Sequence, residues 1–249
     1  TLAELVACLD VEMGGSPRVE VASLESSHGG ILGAQMLVQA LSACESATPG
    51  KDVVRLSMSF LRPSRAETPL AIGLRHLSNG RRFAVVEVDL EQEGRLVARG
   101  EAMLGPSRGN GELIDADVAV PGAPLARALW PWEVAEPTDD ADPGAVWSRV
   151  PLASLSPRAS RAVLAYATEP LTVPLMIDRR GLRERGGEIP QAVLAHSITF
   201  ASTFDARRWH LHRPEIDGHV GDVLTGRGTV LDGSGRRVAT TGTIASLRL

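Results

Sequence analysis

Apolar and polar residues alternate over Val53–Phe60, Pro69–Leu77, Arg82–Glu91 and Arg95–Leu104, and these segments are rich in β-branched side chains. Turn chemistry stands between them at Asn79-Gly80 and Gly94, so the run predicts an antiparallel meander. Ahead of it the period changes. Between Gly29 and Glu45 the apolar residues Ile31, Leu32, Met36, Leu37, Val38, Leu41 and Cys44 surround almost the whole circumference of a helix. A helix apolar on every side has to be buried, and a strongly curved antiparallel sheet can cover it on most sides. The class expected is α+β.

From Pro106 to Pro157 the texture is different: eight of the 16 prolines fall here, with the acidic run Glu136–Pro143. This reads as a crossover linker, partly ordered by Trp130 and Trp132. The first pattern then returns. Ser156-Pro157 supplies an N-cap and first helical position for a helix carried through Ala162–Glu169, which Pro170 is expected to kink or end. Strands follow near Ala192–Phe204, Trp209–His212, Val220–Leu231 and Arg236–Leu247. The halves also match residue by residue: Ser57-Met-Ser-Phe60 against Ser197-Ile-Thr-Phe200, and Gly94-Arg-Leu-Val-Ala98 against Gly235-Arg-Arg-Val-Ala239, at nearly one offset. An internal duplication is expected, with domains over 1–105 and 151–249 and a linker over 106–150. Their sheets should join edge to edge, leaving a cleft between the two central helices.

Composition narrows the function. The 249 residues, 43% hydrophobic and 22% charged, can bury a sizeable core. A net charge of -4 with interleaved signs gives no basic stripe, so nucleic acid is excluded as an expected partner. No apolar stretch approaches the roughly 20 residues that span a bilayer, and the first residues carry no basic region before an apolar core, so a cytosolic protein with no membrane partner is expected. Cys8 and Cys44 read as small buried apolar residues. No metal-ligand spacing or phosphate-binding glycine loop is present, and no cofactor is expected.

The motifs resemble those of bacterial acyl-CoA thioesterase II and its peroxisomal relatives, a family of two fused hotdog domains, each a curved antiparallel sheet around a central helix. Gly33–Glu45 looks like the family's Gly-Gly-Gln helix start, Ser57–Pro63 like its Ser/Phe-Leu-Arg-Pro strand, and Asn79-Gly80 with Arg81–Phe83 like its next hairpin. In the second half Tyr166–Pro174, His196-Ser197 with Trp209, and Val238–Arg248 resemble three further segments. The resemblance implies hydrolysis of an acyl thioester to acid and thiol, with coenzyme A only as part of the substrate, and a homo-oligomer. It also implies an Asp on the second helix with a Thr and a Gln on neighbouring strands, which hold the attacking water. In this sequence those positions are Glu169, Val193 and Thr243, so only the carboxylate keeps its character. A non-hydrolysing acyl-thioester-binding protein is the alternative, and an enoyl-CoA hydratase ranks last because no matching Asp and His set is found.

Each further candidate has a bland counterpart. Glu169 is a general base or a solvated charge at a helix end. The amides of His28, Gly29 and Gly30 form an oxyanion hole, or the glycines only permit close packing. Gln35 lines the cleft or caps an edge, and His196 heads a strand and bonds a loop more readily than it catalyses. Thr199 and Ser197 share one strand face and stand in for the missing Thr, or are ordinary strand hydroxyls. The arginines of 179–186 meet the phosphates of coenzyme A or form a solvated loop.

Overall fold

A computed structural model describes residues 1–26, 29–107, 132–137, 144–179 and 191–247. In chain order it holds α1 (Leu2–Leu9), β1 (Arg18–Val21), α2 (Gly33–Ser46), β2 (Lys51–Phe60), β3 (Leu70–Asn79), β4 (Ala84–Gln92) and β5 (Arg95–Pro106). Then come β6 (Glu133–Ala135), β7 (Val146–Arg149), α3 (Pro157–Arg179), β8 (Gln191–Phe200), β9 (His210–Val220), β10 (Val223–Asp232) and β11 (Arg237–Leu247).

The strands form one antiparallel sheet in the order β1-β3-β4-β5-β2-β8-β11-β10-β9-β7-β6. Alternation sets its faces: β4 reads buried at every second residue from Ala84 to Gln92. The meander over β3, β4 and β5 is repeated by β9, β10 and β11, and the two halves meet where β2 pairs with β8. At that seam Ser57 lies directly opposite Ser197, Arg55 opposite Thr199 and Ser59 opposite Ala195. Ser57 therefore pairs with its own counterpart, and the Arg55–Thr199 and Ala195–Ser59 pairs are exchanged with each other, as a two-fold axis through the middle of the sheet requires. This is the double hotdog architecture that the sequence predicts.

In α2 twelve of its fourteen residues are buried, consistent with an apolar surface all round. α3 differs from its expected course. It does not end at Pro170 but continues to Arg179 with Pro170 and Pro174 inside it. Each interior proline removes a hydrogen bond and costs about 3 kcal/mol. Leu171, Val173, Met176 and Ile177 are buried beyond the first proline, and at about 1.5–3 kcal/mol each they offset the cost of both prolines. Gly226 makes room for this extension: a methyl group there would stand 2.5 Å from Met176 Cε and 2.6 Å from the Glu215 carbonyl oxygen. Gly226→Ala is expected to destabilise the protein by about 1–3 kcal/mol in urea unfolding.

The 106–150 stretch also departs from a plain linker. Its described parts supply β6 and β7, which pair with each other and extend the sheet past β9. Trp132 is buried and stacks on Tyr166 of α3, with ring centroids 5.2 Å apart. Trp130 lies outside the described residues. α1 was not expected; its signal is the Thr1–Glu4 capping box, in which each side chain bonds the other residue's backbone.

Candidate active site

The N-terminus of α2 and the middle of α3 meet at Glu169. Its side chain is buried, and one carboxyl oxygen accepts a hydrogen bond from the Ala34 N–H in the first turn of α2. The other, Oε2, has no protein partner. Gly33 is what lets it enter: a methyl group at that position would stand 2.7 Å from Oε2 and 3.1 Å from the Phe60 ring. Burial raises the Glu169 pKa to about 8, opposed by the Ala34 hydrogen bond. A buried carboxyl that titrates near neutrality, with one free oxygen beside a helix N-terminus, is equipped to take a proton from water.

Thr168, next to Glu169 in α3, begins a row of buried polar side chains. Thr168 Oγ1 donates to the Ala165 carbonyl at 2.7 Å and lies 2.9 Å from His196 Nε2. The other ring nitrogen, Nδ1, lies 2.8 Å from Thr243 Oγ1. His196 is thus a buried residue within β8, bonded to α3 and β11, and not a strand-end residue bonded to a loop. Burial lowers its pKa to about 4 and keeps it neutral.

The remaining candidates are placed differently. Thr199 lies outside this space. His196, Ile198 and Phe200 point to the buried face of β8, so Thr199 points to the other, paired between Arg55 and Thr240. Val193 packs with Val173, Met176, Ile177 and Leu224 under the extended end of α3. The Gly29 N–H donates to the Ser26 carbonyl at 3.0 Å and is not a free oxyanion donor, while Gly30 forms an isolated bridge with Arg65. His28 and the arginines of 180–186 lie outside the described residues. Gln35 caps no exposed edge: it is buried, its Oε1 accepts from the Leu24 N–H, and its Nε2 has no partner.

Counted from the first residue of its helix, Glu45 of α2 stands where Glu169 stands in α3. Glu45 lies twelve residues after Gly33, the first residue of α2, as Glu169 lies twelve after Pro157, the first of α3. Arg161 of α3 grips Glu45 with two hydrogen bonds, of 2.9 and 3.0 Å, and bonds Asp52 at 2.9 Å. One carboxylate is therefore neutralised by an arginine, while the other is left open. Beside Arg161 is a cavity of about 160 Å³ that Phe200, the counterpart of Phe60, helps to line.

Three buried histidines make the second half acid-sensitive. Burial holds His196 and His210 at about 4 and His212 at about 3, whereas in the unfolded chain each titrates near 6.5. The unfolded state binds more protons below pH 6.5, so stability falls as pH drops from 6.5 towards the folded values. Each histidine contributes up to about 1.4 kcal/mol per pH unit over that window. Urea midpoints measured from pH 7 to 5 should show the slope, and it should flatten in His212→Phe.

Comparison with known proteins gives the fold its class. Over its full length the chain has the fold of a tesB protein from Mycobacterium avium subsp. paratuberculosis, with a TM-score of 0.80, 21% identity and 100% of each chain covered. An acyl-CoA thioesterase II, TesB2, from Mycobacterium marinum superposes with a TM-score of 0.78 at 19% identity, covering 100% of this chain and 97% of that one. A conserved protein with a hot dog fold from Alicyclobacillus acidocaldarius gives 0.66 at 17% identity, covering 93% and 92%. These likenesses establish the double hotdog fold. More specifically, residues 22–105 match the family model of the acyl-CoA thioesterase N-terminal domain. No curated protein sequence matches the chain. Among the described residues no helix is long and apolar enough to cross a membrane, and no cluster of three or more His, Cys, Asp or Glu is placed to hold a metal ion.

Proposed function

We propose that this protein hydrolyses an acyl-CoA or a related acyl thioester to the free acid and thiol, with Glu169 as general base. The observation that carries the reading is the Glu169 carboxyl, buried and raised to about 8, with Oε2 unpartnered at the α2 N-terminus. In the reaction Glu169 takes a proton from water, and the water oxygen attacks the thioester carbonyl. Collapse of the tetrahedral adduct expels the thiolate, which receives the proton from Glu169. Thr243, which stands where the resembled family has its water-holding Gln and is bonded to His196 at 2.8 Å, orients that water from the strand side. The match of residues 22–105 to an acyl-CoA thioesterase domain supports the substrate class. We place the protein in the cytosol as a homo-oligomer, with no cofactor other than the coenzyme A of its substrate.

A second reading, binding without hydrolysis, is favoured by one observation: Val193 packs into an apolar cluster and offers no hydrogen bond. Purified protein given acyl-CoAs from acetyl- to palmitoyl-CoA, with thiol release followed, separates the two. Turnover supports hydrolysis, whereas saturable binding with no thiol released supports the second reading and removes the first.

A further inference from the structure

We propose that Thr168 and His196 are positioning residues that hold the Thr243 hydroxyl with its proton turned away from the reacting water, so that Thr243 meets the water only as an acceptor. This rests on the hydrolytic reading above. All three side chains are buried, at 0%, 1% and 4% exposure, so bulk water does not compete for the two hydrogen bonds that join them. A threonine hydroxyl has a single proton. That of Thr168 goes to the Ala165 carbonyl at 2.7 Å, so at 2.9 Å Thr168 Oγ1 accepts from His196 Nε2–H. A neutral imidazole protonated on Nε2 has a bare Nδ1, which accepts the Thr243 proton at 2.8 Å. The lone pairs of Thr243 are all that remain to be offered.

The direction of this chain matters to the chemistry. A water that gives one hydrogen to Glu169 and the other to Thr243 keeps a lone pair free for the carbonyl carbon. In the opposite tautomer Nδ1–H would donate to Thr243, the Thr243 proton would turn outward, and it would occupy the lone pair needed for attack. Thr168, which touches no substrate in this scheme, sets the choice because its own proton is taken by its helix.

Thr168→Val keeps the shape and removes the acceptor that holds Nε2–H. Long-range ¹H–¹⁵N correlation spectra of the His196 ring report the tautomer directly. The expected result is Nε2–H in the wild type and Nδ1–H in Thr168→Val, with kcat for acyl-CoA thiol release lowered roughly 10- to 100-fold and KM changed less than about two-fold. Thr168→Ser should restore both the tautomer and kcat. An Nδ1–H ring in the wild type, a tautomer unmoved by Thr168→Val, or a switched tautomer with full kcat would each overturn the proposal. Wild-type protein that releases no thiol would instead remove the hydrolytic reading on which it rests, and full turnover by Glu169→Gln would remove Glu169 as its base.

Discussion

Glu169→Gln is expected to lower kcat for acyl-CoA hydrolysis by about 10²- to 10⁴-fold, the range that a positioned general base contributes, and at the same time to stabilise the fold. The two effects have one cause. In the wild type the base works only when ionised, so turnover should climb with pH and level off above about 8, where the buried carboxyl has lost its proton. The folded value lies above the usual 4.5, so between 4.5 and 8 the folded state keeps a proton that the unfolded state has released. The Glu169 contribution to stability therefore falls as pH rises through that window, by up to about 1.4 kcal/mol per pH unit, opposing the slope of the buried histidines below pH 6.5. Glutamine carries no such penalty, so its advantage in urea midpoint should be absent near pH 4.5 and grow towards pH 8. A glutamine variant that is inactive but also less stable would show that Glu169 serves the packing and not the reaction.

Arg161→Met should have the largest effect on stability, a loss of about 3–5 kcal/mol at neutral pH, because it strands the Glu45 carboxylate without its counter-charge. The Arg161 and Glu45 side chains are only 13% and 4% exposed, so water cannot take over. The pair joins α2 to α3, and Arg161 also reaches Asp52 on β2, so the bond ties the two halves together. Replacing both partners, Arg161→Met with Glu45→Met, should recover most of the loss, since two apolar groups leave no charge buried. Additive losses in the double variant, or a single-variant cost below about 1 kcal/mol, would show that the ion pair does not hold the halves.

The architecture was legible because it is written in local periods. Strand alternation from Val53 to Leu104, the all-round apolar surface of α2, and two repeated segments were enough to predict a duplication with sheets joined edge to edge, which the β2–β8 seam bears out. The end of α3 was misjudged because proline propensity is local, whereas the burial of Val173, Met176 and Ile177 that overrides it depends on β10 and β11. β6 and β7 were hidden by the proline-rich composition around them, and at three and four residues they are too short to show a period.

The site divides in the same way. Glu169 could be reached by matching motifs, and the structure adds that it is buried against Ala34. Thr199 faces away from the site because strand residues an odd number apart face opposite sides, and the inner side is fixed only by the burial of His196, Ile198 and Phe200. Thr168 carried no signal in the sequence, where a threonine next to a glutamate in a helix is unremarkable. Its role arises only when β8 brings His196 within 2.9 Å.

The twin carboxylates also bear on how such a chain can change. In an assembly of two identical single-hotdog subunits every substitution appears twice, so a residue that improved one cleft would be imposed on the other. Here Glu45 is gripped by Arg161 while Glu169 stands open, which identical subunits bound symmetrically could not achieve. Joining the copies in one chain frees each to drift separately: one carboxylate becomes mortar between the halves, and its counterpart is left to chemistry.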